Sequence, residues 1–333
     1  MKKIKFEKIG LVDLHLHLDG SLSLDSVKEL MKLQGIENNY TDDELLEKLR
    51  VSKDCRDLNE YLKKFDFPLT LLQTKEALST AVYNLLEELK SQGLIYAEIR
   101  FAPQLHTKKG LSQEQVVKAV VEGMQKSYLD ANLILCCMRG KNNRAENKET
   151  VHVAEKFLNN GVAAIDLAGA EGLYPTAKFG YIFEIASRKK IPFTIHAGEA
   201  SDYNSVEEAV GFGAVRIGHG VSSVKDKKLL KKLADSGIAL ELCPTSNLNT
   251  NIFANINQYP IKEFIDAGVT VTINTDNMMV SNTNLKRELT IIADAFGFDE
   301  KAIRKFEINA VKNSFADDKL KKKLLTTLVE TSR

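Results

Sequence analysis

Four of the six histidines stand in short motifs beside acidic or small residues: His15 and His17 in VDLHLHLDG, His196 in TIHAGE and His219 in IGHG. Along an extended strand, side chains two apart point the same way, so His15 and His17 can present two imidazoles to one point. Asp13 shares their side, and the alternate positions are apolar. A polar face turned inward needs a partner, and a cation is one. Taken alone, an HxH pair divides evenly between a metal site and two satisfied interior histidines. His196, His219 and Asp276 in INTDN each follow an apolar run directly. Three neutral imidazoles and one carboxylate make an N/O ligand set of borderline hardness, suited to zinc in a catalytic site. Singly, His219 reads as a turn histidine and Asp276 as a helix cap; together they point to a site. Glu199 follows His196 by three residues in HAGE, and Gly198 lets the chain turn there. Ordinarily such a loop acid is solvated, but beside a metal it can carry the proton that metal-assisted hydrolysis requires. His106 has no evident partner and His152 lies in an amphipathic stretch, so neither joins the set.

Motifs so far apart can meet only if the chain gathers the ends of its apolar runs on one face. Eight short β-rich runs are present: Leu11–Leu16, Leu94–Phe101, Leu133–Met138, Val162–Leu167, Pro192–His196, Val215–Gly218, Ala239–Leu242 and Val269–Asn274. Amphipathic stretches follow them, as in Val116–Leu129, Thr150–Asn159, Lys178–Lys189 and Lys225–Ser236. Ser205-Val-Glu-Glu208 reads as a capping box opening another helix. Strands alternating with helices predict an α/β fold, a (β/α)₈ TIM barrel, whose site lies where the strands' C-terminal ends converge. A doubly wound open sheet is the alternative. The segment from Leu22 to Gln92 has helical periodicity and no strand. Extra helices are therefore expected after the first strand, either covering the mouth or packing on the barrel.

The 333 residues, 44% hydrophobic, can bury a large core, and no linker, repeat or low-complexity tract divides them, so a single domain over 1–333 is expected. With 46 Lys+Arg against 45 Asp+Glu, no global field favours nucleic acid or an anionic membrane, and a small-molecule substrate is expected. The basic start MKKIKFEKIG lacks the apolar run of a secretory signal, and no stretch approaches the ~18 apolar residues of a membrane span, which predicts a cytosolic protein. The four cysteines form no CxxC pair and read as small buried hydrophobes. Oligomeric state is left open.

The motifs HLHLDGS (15–21), EIRFAPQLHTKKGL (98–111), DLAGAE (166–171), HAGEA (196–200), RIGHG (216–220), LCPTSN (242–247) and NTDN (274–277) occur in an order that resembles the adenosine deaminases, from about Leu11 to Phe315. The resemblance implies one zinc ion per chain held by His15, His17, His196 and Asp276. It gives Glu199 the role of protonating purine N1 and His219, with Asp276, a catalytic role at the attacking water. It implies substrate contacts from His17, from Asp19 to the ribose 5′-hydroxyl, from the Gly169 amide to purine N3 and from Asn277 to N7. By itself Asp19-Gly20 reads only as a turn. Two departures stand out. Asn277 replaces a common Asp, and its amide can donate to N7 directly. Ala170 replaces a common Asp with no evident compensation. The pattern of cytidine-type deaminases is absent, as is a lysine in LAGAE that could bridge two metals. The expected substrates are adenosine and 2′-deoxyadenosine. Alternatives are deamination of adenine, an aminofutalosine-type nucleoside or N6-methyl-AMP, or an inactive nucleoside-binding barrel.

Overall fold

The apolar runs form eight parallel strands in a computed structural model that describes residues 4–330: β1 (Leu11–His17), β2 (Leu94–Phe101), β3 (Asp130–Met138), β4 (Val162–Ala168), β5 (Thr194–Ala197), β6 (Arg216–His219), β7 (Ala239–Leu242) and β8 (Val271–Ile273). Residues 1–3 and 331–333 of the expected 1–333 unit lie outside the described residues. Strands β1 to β4 pair in sequential order, as do β5 to β8. Ile165 bridges Phe193 at the seam between β4 and β5, and Asp276 bridges Leu16 at the other. At that second seam the Asp276 N–H donates to the His15 carbonyl at 2.7 Å and the His17 N–H to the Asp276 carbonyl at 2.8 Å. Sequential neighbours and two closed seams make a barrel, with none of the reversal in strand order that marks a doubly wound sheet.

Helices clothe the barrel because each buries one stripe. In Lys227–Ser236, Leu229, Leu230 and Leu233 are buried, while Lys227, Lys228, Lys231 and Lys232 face outward. Two expectations about helix ends need correction. The helix Tyr203–Phe212 starts ahead of Ser205 and is capped by Asp202, whose side chain accepts from the Asn204 N–H. Ser205 therefore lies inside the helix, its hydroxyl turned to Glu171. The stretch expected as Val116–Leu129 is helical over Gln113–Met124, and the chain has already entered β3 at Asp130.

The segment 22–92 supplies Leu24–Leu33, Asp42–Leu49, Leu58–Leu62 and Asp66–Leu71, followed by the long helix Lys75–Ser91, which packs against Gln113–Met124. The interior of the barrel is ionic as well as apolar. Arg100 on β2 reaches Asp166 on β4 at 2.9 Å and Glu241 on β7 at 2.8 Å. Arg216 on β6 reaches Glu241 and Glu98, each at 2.6 Å. All five side chains are sealed from solvent, so each charge depends on its partners. Among the described residues no helix is long and apolar enough to cross a membrane.

Candidate active site

The register of β1 puts His15 and His17 on the same inward side at its C-terminal end, as strand alternation requires. β5 delivers His196, β6 ends at His219, and the turn beyond β8 carries Asp276. One ligand atom from each of His15, His17, His196 and Asp276 lies within 4.8 Å of all the others. His17 Nε2 stands 3.2 Å from His196 Nε2 and 3.4 Å from Asp276 Oδ1, and His15 Nε2 is 3.5 Å from that same oxygen. Metal–ligand bonds of about 2.0–2.1 Å give a tetrahedron edges of about 3.3–3.4 Å. The spacing therefore fits a zinc-sized cation, and the buried His15 Nε2 has no hydrogen-bond partner of its own.

A set of groups on neighbouring strands holds these rings in place. His15 Nδ1 lies 2.7 Å from Glu241, and His196 Nδ1 lies 2.8 Å from Asp166. Ser246 donates to Asp276 Oδ2 at 2.5 Å, leaving Oδ1 for the cluster. Tyr259 donates to Asn247 Oδ1, which turns the Asn247 side-chain NH2 to donate to His219 Nδ1 at 3.1 Å. The His219 proton then sits on Nε2, 3.7 Å from Glu199 Oε2. Asp13, placed on the same face by the sequence, bonds Thr275 and the His15 amide instead of joining the cluster.

Electrostatics separate the roles. Burial pushes the His17, His196 and His219 imidazoles below their usual range, so they present lone pairs at neutral pH. Burial opposes ionisation of Asp276, but the histidines around it outweigh that and keep it anionic. Glu199 goes the other way: burial first, then the charges of Asp276 and Glu171, hold its carboxyl well above the ordinary range. Two neighbouring buried carboxyls are thus pushed in opposite directions, Glu199 up and Asp276 down.

A cavity of about 280 Å³ opens onto His17, His196, Glu199, His219 and Asp276. Asp19 and Gly169 line it as well, and burial lifts the Asp19 carboxyl to about 6. Leu58, Leu62, Phe65 and Leu69 of the inserted segment form an apolar wall. Asn277 is not part of the lining: its carboxamide is buried against Gly20, where an added Cβ would lie 1.9 Å from Oδ1. His106 bonds the Leu72 carbonyl at 2.9 Å, away from the cluster, and His152 is exposed. All four cysteines are free and buried, in line with their reading as small hydrophobes. Cys243 approaches His15 and His219, but burial raises its thiol and its S–H points to the Glu241 carbonyl. Sequence reasoning did not single out Glu241, Asp166, Asn247 or Ser246, although DLAGAE and LCPTSN contained three of them.

The sequence profile described as adenosine deaminase matches residues 10–331. The chain is 46% identical over 325 residues to an adenosine deaminase of Haemophilus ducreyi, covering 95% of this chain and 94% of that one. It is 37% identical over 328 residues to an adenosine deaminase of Enterococcus faecalis, covering 97% of each. Among solved structures, an adenine deaminase from Arthrobacter aurescens superposes with a TM-score of 0.85 at 25% identity, over 97% of this chain and 98% of that one. A Burkholderia ambifaria amidohydrolase with bound Zn shares the fold, with a TM-score of 0.85 at 21% identity over 98% of this chain and 92% of that one. With its barrel closed, a cluster of histidines and an aspartate that could hold a metal at the strand ends, and the profile matched over nearly its whole length, the chain belongs to the adenosine deaminase family.

Proposed function

We propose that the chain is a single-domain, zinc-dependent enzyme that hydrolyses adenosine and 2′-deoxyadenosine to inosine and 2′-deoxyinosine with release of ammonia, in cytoplasmic purine salvage. One observation carries this reading: four ligand atoms gathered within 4.8 Å of one another beside the buried carboxyl of Glu199, which burial and its acidic neighbours push well above the ordinary range. His15, His17, His196 and Asp276 would hold the ion. When bound, the ion supplies Lewis acidity that brings the pKa of water down to roughly 7.

Glu199 offers its proton to purine N1, which makes C6 electrophilic. His219, with its proton on Nε2 and its other nitrogen held by Asn247, donates toward the oxygen that attacks C6 and stabilises the charge growing there. A C–O bond forms, the C6–N bond breaks, and the amino group leaves as ammonia once protonated. Asp19 and the Gly169 amide, both on the cavity wall, are assigned to the ribose 5′-hydroxyl and purine N3. The apolar wall from Leu58 to Leu69 excludes water and strengthens each of these electrostatic contacts.

Metal analysis of the purified protein, coupled to an absorbance assay on adenosine, 2′-deoxyadenosine, adenine and N6-methyl-AMP, tests the reading. Zinc should be present near one per chain, turnover should be greatest on the two nucleosides, and chelation should abolish it. Turnover of adenine with adenosine inert would overturn the assignment of Asp19 and of the substrate.

A further inference from the structure

The loop that carries Glu199 is gripped by a second acid to which no role has been assigned. Glu171 lies in the turn after β4 and is 2% exposed. Its Oε1 accepts from the Gly198 N–H at 2.7 Å and the Ser205 hydroxyl at 2.5 Å. Its Oε2 accepts from the Glu199 N–H at 2.9 Å and the Ala200 N–H at 2.8 Å. Every partner is a donor, which matches a carboxylate and nothing else of that size. Three consecutive amides can converge on one group because Gly198 takes φ +68°, and a Cβ there would lie 2.4 Å from Ser222 Oγ and from Val206 Cγ2.

The same segment is held from its other end. Arg139 donates to the His196 carbonyl at 2.6 Å and to Thr176 Oγ1 at 2.9 Å. Thr176 in turn bonds Ser205 at 2.6 Å, and Ser205 donates to Glu171. An unbroken donor-to-acceptor relay therefore runs from Arg139 to Glu171 and encloses the four residues from a metal-cluster histidine to the acid. Glu171 also ties the turn holding Gly169 to the turn holding Glu199, and both of those residues line the cavity.

We infer that Glu171 is a positioning residue of the deamination: by clamping the 198–200 amides it sets where the Glu199 carboxyl stands relative to the bound purine. The inference rests on Glu199 being the acid. A displacement of about 1 Å in a catalytic group can lower turnover about a hundredfold, and loss of such a supporting contact typically lowers it about 10- to 100-fold.

Glu171→Gln is the direct test, because an amide can satisfy only one of the two donor pairs. Expected in the zinc-loaded variant is a fall in kcat of at least about tenfold, with KM for adenosine and zinc per chain close to the parent's. General loosening of the site would instead raise KM or release metal. A smaller fall in kcat, or one that merely follows lost zinc, would overturn the inference. If Glu171→Gln does not fold, Ser205→Ala decides, since it deletes one bond to the same carboxylate: kcat should drop about threefold, roughly one weak hydrogen bond, at constant KM and zinc. An unchanged kcat in that variant would sink the idea. Glu199→Gln, run in parallel, separates the two readings. If it turns over like the parent, the acid is misassigned; if it is inactive while Glu171→Gln is not, only the role of Glu171 fails.

Discussion

His219 and Asp276 hold φ values of 58° and 60°, a left-handed conformation that non-glycine residues rarely adopt. Such backbone persists only where the surroundings over-determine it. Around Asp276 they do: its N–H and C=O both bond β1, and Ser246 takes one carboxylate oxygen. Because Asn tolerates the same backbone, Asp276→Asn should fold normally yet bind zinc at least about tenfold more weakly. Titration with a chromophoric chelator would measure this, and undiminished affinity would remove Asp276 from the ligand set. For Glu199→Gln the expectation is the reverse: metal kept, kcat down about 10²- to 10⁴-fold, read by metal content and steady-state rates. At this scale the sequence was informative wherever chemistry followed directly from alternation. His15 and His17 could be paired from their spacing alone, and His196, His219 and Asp276 from their position after apolar runs. The groups that orient them were not legible, because Glu241 meets His15 across the barrel interior, and which side chains meet there depends on shear and register that one strand does not encode. Asn277 could be named from NTDN, but its packing against Gly20, which follows another strand, could not be read there.

Among the elements, the inserted helices do more than cover the barrel. Leu58 and Tyr61 pack with Cys55 and Val280, and the Tyr61 hydroxyl bonds Ser281 at 2.7 Å, so the short helix Leu58–Leu62 is pinned to the turn after Asp276. The Val51 N–H donates to the Val280 carbonyl at 3.0 Å and adds a second tether. One face of this segment is therefore core and the other is cavity wall. Its periodicity could announce helices in advance but could not say which apolar face met ligand. Tyr61→Phe removes one bond and leaves Ser281 to find another partner, at about 1–2 kcal/mol. The expected result is a lower Tm and a KM for adenosine raised several-fold, with kcat little changed. Thermal melts and initial rates would check both, and a KM equal to the parent's would mean that the tether does not shape the cavity. Helix starts were less legible than helices. Ser205 carries a capping-box spacing, yet Asp202 caps the helix and the Ser205 hydroxyl serves Glu171, a partner 34 residues away.

Across the whole molecule, the count of eight runs and the amphipathic stretches that follow them made the barrel readable, whereas its polar interior was not, since Glu98, Arg100, Asp166, Arg216 and Glu241 are ordinary surface types elsewhere. Burying so many ionisable groups couples stability to pH, and the sign can be worked out. Burial is opposed at Glu241 by Arg100 and Arg216, which hold it anionic well below the usual range, so its contribution is present above the unfolded value and is lost only in acid. Glu288 behaves oppositely. Sealed beneath the 244–249 helix and bonded to the Thr245 N–H and Thr283, it is raised by burial from 4.5 to about 7. Between those values the folded chain binds a proton that the unfolded chain has released, so stability falls as pH rises through that window, by about 3 kcal/mol once it is crossed. Glu307, which accepts from the Val12 N–H at 2.7 Å, is raised by burial in the same sense. Zinc affinity carries a pH dependence of its own, which a comparison of two proteins with the same site removes. Urea unfolding of zinc-loaded parent and Glu288→Gln at pH 5 and pH 8 isolates the effect. The amide can still accept from Thr245 and donate to Thr283, so the variant should lose less stability than the parent between the two conditions. Equal losses would mean that Glu288 ionises inside the fold without penalty, and that the polar ends of this barrel are better solvated than their burial implies.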